Sequence, residues 1–288
     1  SARSPISPAK QTKGTTQDMS ILSLINKKKK KGRRPGSAMV IDSDTPFAVT
    51  EAYKTLRTNI QFTTAALAPE TPHKNALVIS SPLPSEGKST TASNLGVVFA
   101  QTNSKVLLID ADMRKAVQHR NFKVDNKEGL STCLVNLDRL ADAVHHSVRP
   151  GLDLLTAGPT PPNPSELLSS PTMQRLLDIV CKVYDYVIID TPPLTVVSDA
   201  LTFAGNTAGL LMIVRPDVCR QIDLRRSFDS IELAGTHVLG VVMSDVRQNG
   251  SGYYSGYRRY GRYGKYGYSK YGYSYSSSDA DRKSGEKS

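Results

Sequence analysis

The segment Ala76–Gly96, ALVISSPLPSEGKSTTASNLG, limits the folds open to this chain more than any other. Ala76 to Ile79 is a short apolar run of the kind that forms a buried strand. A turn rich in Pro and Ser follows, then Gly87-Lys88-Ser89-Thr90, then helix-compatible residues from Thr91 to Gln101. Strand, loop and helix in that order form a setting that holds a polyphosphate. Backbone N–H groups of Ser85, Glu86, Gly87, Lys88, Ser89 and Thr90 would point at the anion, at the positive end of a helix. Lys88 would reach the β- and γ-phosphates, and Ser89 would give its hydroxyl to Mg²⁺, which prefers oxygen ligands. The strict pattern G-x-x-x-x-G-K-[ST] wants glycine at position 82, where this chain has Pro82.

Two further stretches belong with the loop. Val106–Arg114, VLLIDADMR, is an apolar strand ending in Asp110, with Asp112 two residues on. Tyr186–Pro193, YVIIDTPP, is a β-branched run ending in Asp190. A single aspartate at a strand end is ordinarily a solvated cap. In an open α/β sheet, however, ligands sit at the carboxyl ends of the strands. Three such strands gather Lys88, a hydroxyl and three carboxylates at one edge, which is a nucleotide–Mg²⁺ site. Ser89, Asp112 and Asp190 are the candidate metal donors, and Asp190 joins the loop residues in holding nucleotide.

The remaining pattern alternates strands with helices and predicts a doubly wound, mainly parallel sheet with helices on both faces, of P-loop NTPase type. Asp44-Thr45-Pro46 reads as a cap followed by Pro at the first helical position, opening a helix to about Ala66. Glu51, Lys54 and Arg57 repeat every third residue on one face of it. A second strand is expected over Lys105–Ile109, a helix near Leu130–Val144 in an otherwise irregular 115–150, and a strand over Leu152–Thr156. Gly158–Glu166, GPTPPNPSE, is expected to be a rigid loop. A helix at Pro171–Tyr184, the segment Ser198–Ala204, a strand at Gly209–Val214, a helix near Gln221–Leu233 and a strand at Val238–Met243 complete the set.

The chain of 288 residues suits one such domain, taken as 37–249, with a basic N-terminal segment over 1–36 and a tail over 250–288, both expected to be disordered. Met19 is a candidate native start, which would make 1–18 a contribution from another chain. Cys133, Cys181 and Cys219 are isolated and read as small buried hydrophobes in a reducing compartment. No apolar run has the length of a membrane span and no signal peptide is visible, so the domain is expected in the cytoplasm. The net charge of +11 is concentrated in Lys27–Lys31 with Arg33 and Arg34, and in the tail. Such charge attracts anionic lipid, nucleic acid or an acidic protein surface.

Ten tyrosines lie in the tail: Tyr253, Tyr254, Tyr257, Tyr260, Tyr263, Tyr266, Tyr268, Tyr271, Tyr273 and Tyr275. They are interleaved with glycines and with Arg258, Arg259, Arg262, Lys265 and Lys270. Glycine this dense prevents a packed element. Three uses stay open: a sticky low-complexity tail, an RNA-binding tail whose Tyr and Arg stack on bases, and a set of phosphate acceptors threaded into an anionic ATP site.

Taken together, EAYKTLRTN at 51–59, the phosphate loop, LLIDADMR at 107–114, GPTPPNPSELLSSP at 158–171, YDYVIIDTPP at 184–193 and the tyrosine cluster resemble the bacterial tyrosine kinases that regulate capsular and exopolysaccharide export. The resemblance covers about Asp42–Tyr275. It implies ATP and Mg²⁺ as cofactors, with Lys88 and Ser89 in the Walker A loop, Asp110 and Asp112 as the A′ acids and Asp190 as the Walker B acid. It implies phosphorylation of the tail tyrosines in trans within a ring-like homo-oligomer, with Glu51, Lys54 and Arg57 matching an E-x-x-R-x-x-R contact motif. It further implies a membrane-embedded activator, which would hold the domain at the inner face of the cell membrane, and a cognate phosphotyrosine phosphatase. An anionic membrane surface is a further candidate partner, and nucleic acid is not expected. Five positions depart from the pattern: Lys54 for Arg, Ser85 where Gly is frequent, Lys115-Ala116 for Arg-Pro, and Ser244 where Asn is common near adenine.

A free tyrosine titrates near about 10, so a carboxylate is needed to take its proton. Asp112 is the candidate base and Asp110 the alternative. One rival function is a partition or septum-site ATPase of the same fold, which carries a lysine five residues before the GK lysine; here that residue is Leu83. The other is a non-catalytic, nucleotide-bound scaffold with a nucleic-acid-binding tail.

Overall fold

The computed structural model describes residues 40–246. The basic run at 27–34, the segment before it and all ten tail tyrosines lie outside the described residues.

Seven strands form one sheet: β1 (Ala76–Ser80), β2 (Val106–Asp110), β3 (Val144–Arg149), β4 (Leu152–Leu155), β5 (Tyr186–Asp190), β6 (Gly209–Val214) and β7 (Val238–Met243). Their spatial order is β3-β4-β2-β5-β1-β6-β7, parallel throughout except for β3, which runs antiparallel to β4. The runs β1, β2 and β6 are buried on both faces, as a parallel sheet clad by helices requires. The helices are α1 (Phe47–Ala65), α2 (Lys88–Ala100), α3 (Gln118–Phe122), α4 (Leu130–Val135), α5 (Leu140–Ala143), α6 (Pro164–Leu168), α7 (Pro171–Val183), α8 (Leu201–Ala204) and α9 (Gln221–Leu233).

Period-two alternation divides the core between the two faces. Leu77, Ile79, Leu108 and Ile188 pack with α2 residues Leu95, Val98 and Phe99. Val78, Leu107, Ile109, Val187 and Ile189 pack on the other face with Met173, Leu176 and Leu177 of α7. The same parity decides the site. Asp110 and Asp190 are two residues beyond Leu108 and Ile188, so both carboxylates emerge on the α2 face, and the register pairs them directly.

Several boundaries differ from the sequence expectation. Pro46 is the N-cap of α1 rather than its first residue, and no side chain caps the helix. Thr45 is already spent, since its hydroxyl donates to Asp42 and accepts the Asp42 N–H. The helix expected over Leu130–Val144 is broken into α4, a 3₁₀ turn at Leu137–Arg139, and α5. Strand β3 and helix α3 were not foreseen: β3 is an irregular edge strand, VHHSVR, shaped by Asp153, which accepts from Ser147 N–H and contacts His146. The proline-rich loop is not wholly irregular, because Pro164 sits at the first turn of α6, where its missing N–H costs nothing. No cysteine is paired, and among the described residues no helix is long and apolar enough to cross a membrane.

Candidate active site

The loop between β1 and α2 turns through two left-handed residues, Ser85 at φ 67° and Gly87 at φ 92°. Gly87 is the N-cap of α2, so Lys88, Ser89 and Thr90 form the helix's first turn with their N–H groups at its positive end. A glycine suits φ 92°; serine at φ 67° is a strained choice, which accounts physically for glycine being frequent at position 85 in the family the sequence resembles.

Lys88 lies at the centre of the carboxylates. Its Nζ is 2.9 Å from Asp112 Oδ2, 3.3 Å from Asp190 Oδ1 and 3.0 Å from Ser89 Oγ. All three acids are buried: Asp110 and Asp190 completely, Asp112 nearly so. Burial alone would pull the Lys88 ammonium down, but the charges of Asp190 and Asp112 outweigh it and hold it above its ordinary range. The oxygens of Ser89, Asp112 and Asp190 thus all contact the Lys88 ammonium, and oxygen is the donor type that Mg²⁺ takes.

Asp110 is placed differently from Asp112. Its Oδ1 accepts the Asp112 N–H at 3.2 Å, and its Oδ2 accepts the N–H groups of Val117 and Gln118 at 3.0 and 2.9 Å. It shapes the turn into α3. Burial, then the adjacent Asp190 charge, pushes its carboxyl up. Asp112 keeps one oxygen on Lys88 and accepts the Lys115 N–H on the other at 3.0 Å.

Sequence reasoning missed Gln118. Its Nε2 donates to Asp190 Oδ2 at 2.8 Å and to the Ser89 carbonyl at 3.0 Å, while its Oε1 accepts from Ser93 and Asn121. One neutral amide therefore orients the strand-end acid against the phosphate loop. No motif marks it, because a lone glutamine in an irregular stretch has no spacing to betray it. Also missed was the cluster in which Arg114 donates to Asp199 and Ser165, tying the segment after β2 to α6 and to the segment after β5.

The AAA domain family model matches residues 85–208, from the phosphate loop to the start of β6. The tyrosine-protein kinase YwqD of Bacillus subtilis is 37% identical over 217 residues, covering 75% of this chain and 90% of that protein. The chain belongs to the bacterial tyrosine-protein kinases. The kinase domain of Escherichia coli tyrosine kinase ETK superposes with a TM-score of 0.67 at 34% identity, covering 79% of this chain and 86% of that one. Against the full-length E. coli etk the match is 36% identical and spans 29% of the relative, against 75% of this chain. The kinase described here thus spans nearly all of the B. subtilis relative but less than a third of the E. coli one.

The three residues expected at a subunit contact lie on α1. In this kinase Glu51 and Lys54 pair with each other at 2.9 Å, both about two-fifths exposed. Arg57 instead donates through Nη1 to the Val98 carbonyl of α2 at 2.6 Å, joining the two helices within one chain.

Proposed function

We propose that this kinase transfers the γ-phosphoryl group of ATP to tyrosines of its own C-terminal tail, one subunit acting on another, and thereby regulates polysaccharide synthesis and export. The observation that carries the reading is the convergence of Lys88, Ser89, Asp112 and Asp190 within hydrogen-bond reach at the ends of three parallel strands. Lys88 leaves its carboxylate partners for the β- and γ-phosphates. Ser89, Asp112 and Asp190 would hold Mg²⁺, which neutralises phosphate charge when bound. Gln118 keeps Asp190 turned toward that point. The phenolic oxygen forms a bond to the γ-phosphorus, the bond to the bridging oxygen of ADP breaks, and the phenolic proton passes to Asp112. Asp110 is the weaker candidate for base, since three backbone N–H groups hold its two oxygens, whereas Asp112 Oδ2 is freed when Lys88 moves to the phosphates.

The tail between Tyr253 and Tyr275 starts at +5. Each phosphate adds roughly −1.5 to −2 charges, so about three neutralise it. An unmodified tail is drawn to the anionic nucleotide site of a neighbour and a modified one is expelled. Assembly through Glu51, Lys54 and Arg57, activation by a membrane-embedded partner at the inner membrane face, attraction to anionic lipid through the basic segments, and reversal by a phosphotyrosine phosphatase complete the proposed cycle. The test is a variant with all ten tail tyrosines changed to Phe, assayed by phosphotyrosine immunoblot in ATP·Mg²⁺ beside wild type and Lys88→Met. It should bind ATP, lose nearly all autophosphorylation and stay oligomeric while wild type dissociates. Phosphorylation equal to wild type would remove the tail as acceptor.

A further inference from the structure

The side chain of Glu86 has no part in the chemistry above, yet it turns inward and is fully buried. Its neighbours at positive φ, Ser85 and Gly87, aim it there. Its Oε2 accepts the Leu83 N–H at 2.6 Å, within the phosphate loop. Its Oε1 accepts the Arg215 N–H at 3.2 Å, one residue past β6. Its backbone carbonyl accepts Ser244 Oγ at 2.6 Å, one residue past β7. Asp112 and Asp190 brace the phosphate loop from the β2 and β5 side through Lys88 and Gln118; Glu86 braces it from the opposite side.

An ionised carboxylate accepts both N–H groups. A protonated one turns an oxygen into a donor that faces a donor, and one tie is lost. We propose that Glu86 is a positioning residue for the nucleotide: ionised, it holds the phosphate loop in its binding shape by joining Leu83 to Arg215, and protonation releases a tie and weakens nucleotide binding. The groups facing it are the Cys219 thiol and Asp223 of α9, the latter held by Arg220; the Arg215 guanidinium is turned away onto Asp245. Burial pushes the Glu86 carboxyl up to about 7, against the two N–H groups and Cys219, with Asp223 adding to the rise. Release therefore falls at neutral pH. The inference rests on nucleotide binding at this loop and not on transfer to tyrosine, so failure of the acceptor assignment leaves its test intact.

The experiment is calorimetric titration of ADP·Mg²⁺ into wild type and Glu86→Gln between pH 6 and pH 8. Glutamine presents one acceptor oxygen and a donating NH₂ group, where the protonated acid has one carbonyl oxygen and one O–H. The ionised fraction of wild type falls from about 0.9 at pH 8 to about 0.1 at pH 6. With the protonated form binding about tenfold more weakly, the ratio of variant to wild-type Kd should fall from about nine at pH 8 to about two at pH 6. Titration of ADP itself cancels in this ratio. A ratio that does not change with pH overturns the proposal. A second measurement needs no variant: by linkage, saturating ADP should lower the titration midpoint of the wild-type Glu86 carboxyl, followed by carbon-13 NMR, by about one pH unit. A midpoint that stays or rises overturns it equally.

Discussion

Replacing Lys88 with Met is the direct way to silence this site, and the structure predicts that it also destabilises the fold. The ammonium lies 2.9 Å from Asp112 and 3.3 Å from Asp190, both buried. Methionine keeps much of the volume but leaves two buried carboxylates without a counter-charge. Removing one partner of a buried pair costs about 3–5 kcal/mol. A domain's whole stability is about 5–15 kcal/mol, so the variant should fold, but marginally. The sign of the pH dependence follows. In wild type the Lys88 titration is itself raised, so its contribution is constant through neutrality and is lost only as pH climbs past 10.5. Urea denaturation followed by circular dichroism reads both effects. With a slope of about 2–3 kcal/mol/M, the midpoint at pH 8 should fall by about 1–2 M. Adding Asp190→Asn, which removes one of the unpaired buried charges, should recover part of the loss. Equal midpoints for Lys88→Met and wild type at pH 8 would refute the claim that Lys88 neutralises these acids.

Three further outcomes follow from single contacts. Gln118→Leu removes the amide that orients Asp190, and kcat should drop about 10–100-fold while ATP affinity, read by equilibrium titration, changes little. Ser85→Gly relieves a side chain at φ 67° and should raise stability by about 0.5–1 kcal/mol in the same denaturation assay; a loss of stability would show that the loop needs serine. Arg57→Ala breaks the tie from α1 to the Val98 carbonyl and should cost about 1–2 kcal/mol in a monomeric background, whereas reversing charge at Glu51 alone should leave stability near wild type and act only on assembly, as light scattering would report.

The sequence by itself determined the frame of the site. Apolar runs ending in GKS, DAD and DTP specify strands whose carboxyl ends carry a lysine and acids, because buried parallel strands read as continuous hydrophobic segments. Most element positions follow from the same periodicity. Tertiary structure decided what periodicity does not encode. Strand order brought Asp110 and Asp190 into register from segments eighty residues apart and turned both to the α2 face. It separated the two A′ acids, since N–H groups from the start of α3 fall on Asp110 and leave Asp112 to Lys88. It chose Gln118, a residue with no motif, because only folding places its amide between Ser89 and Asp190. It gave Arg57 a tie to the Val98 carbonyl within its own chain, and turned Glu86 from a nominal loop residue into a buried brace. Most of these depend on hydrogen-bond partners distant in sequence, and a long side chain takes whichever partner the packed neighbour presents.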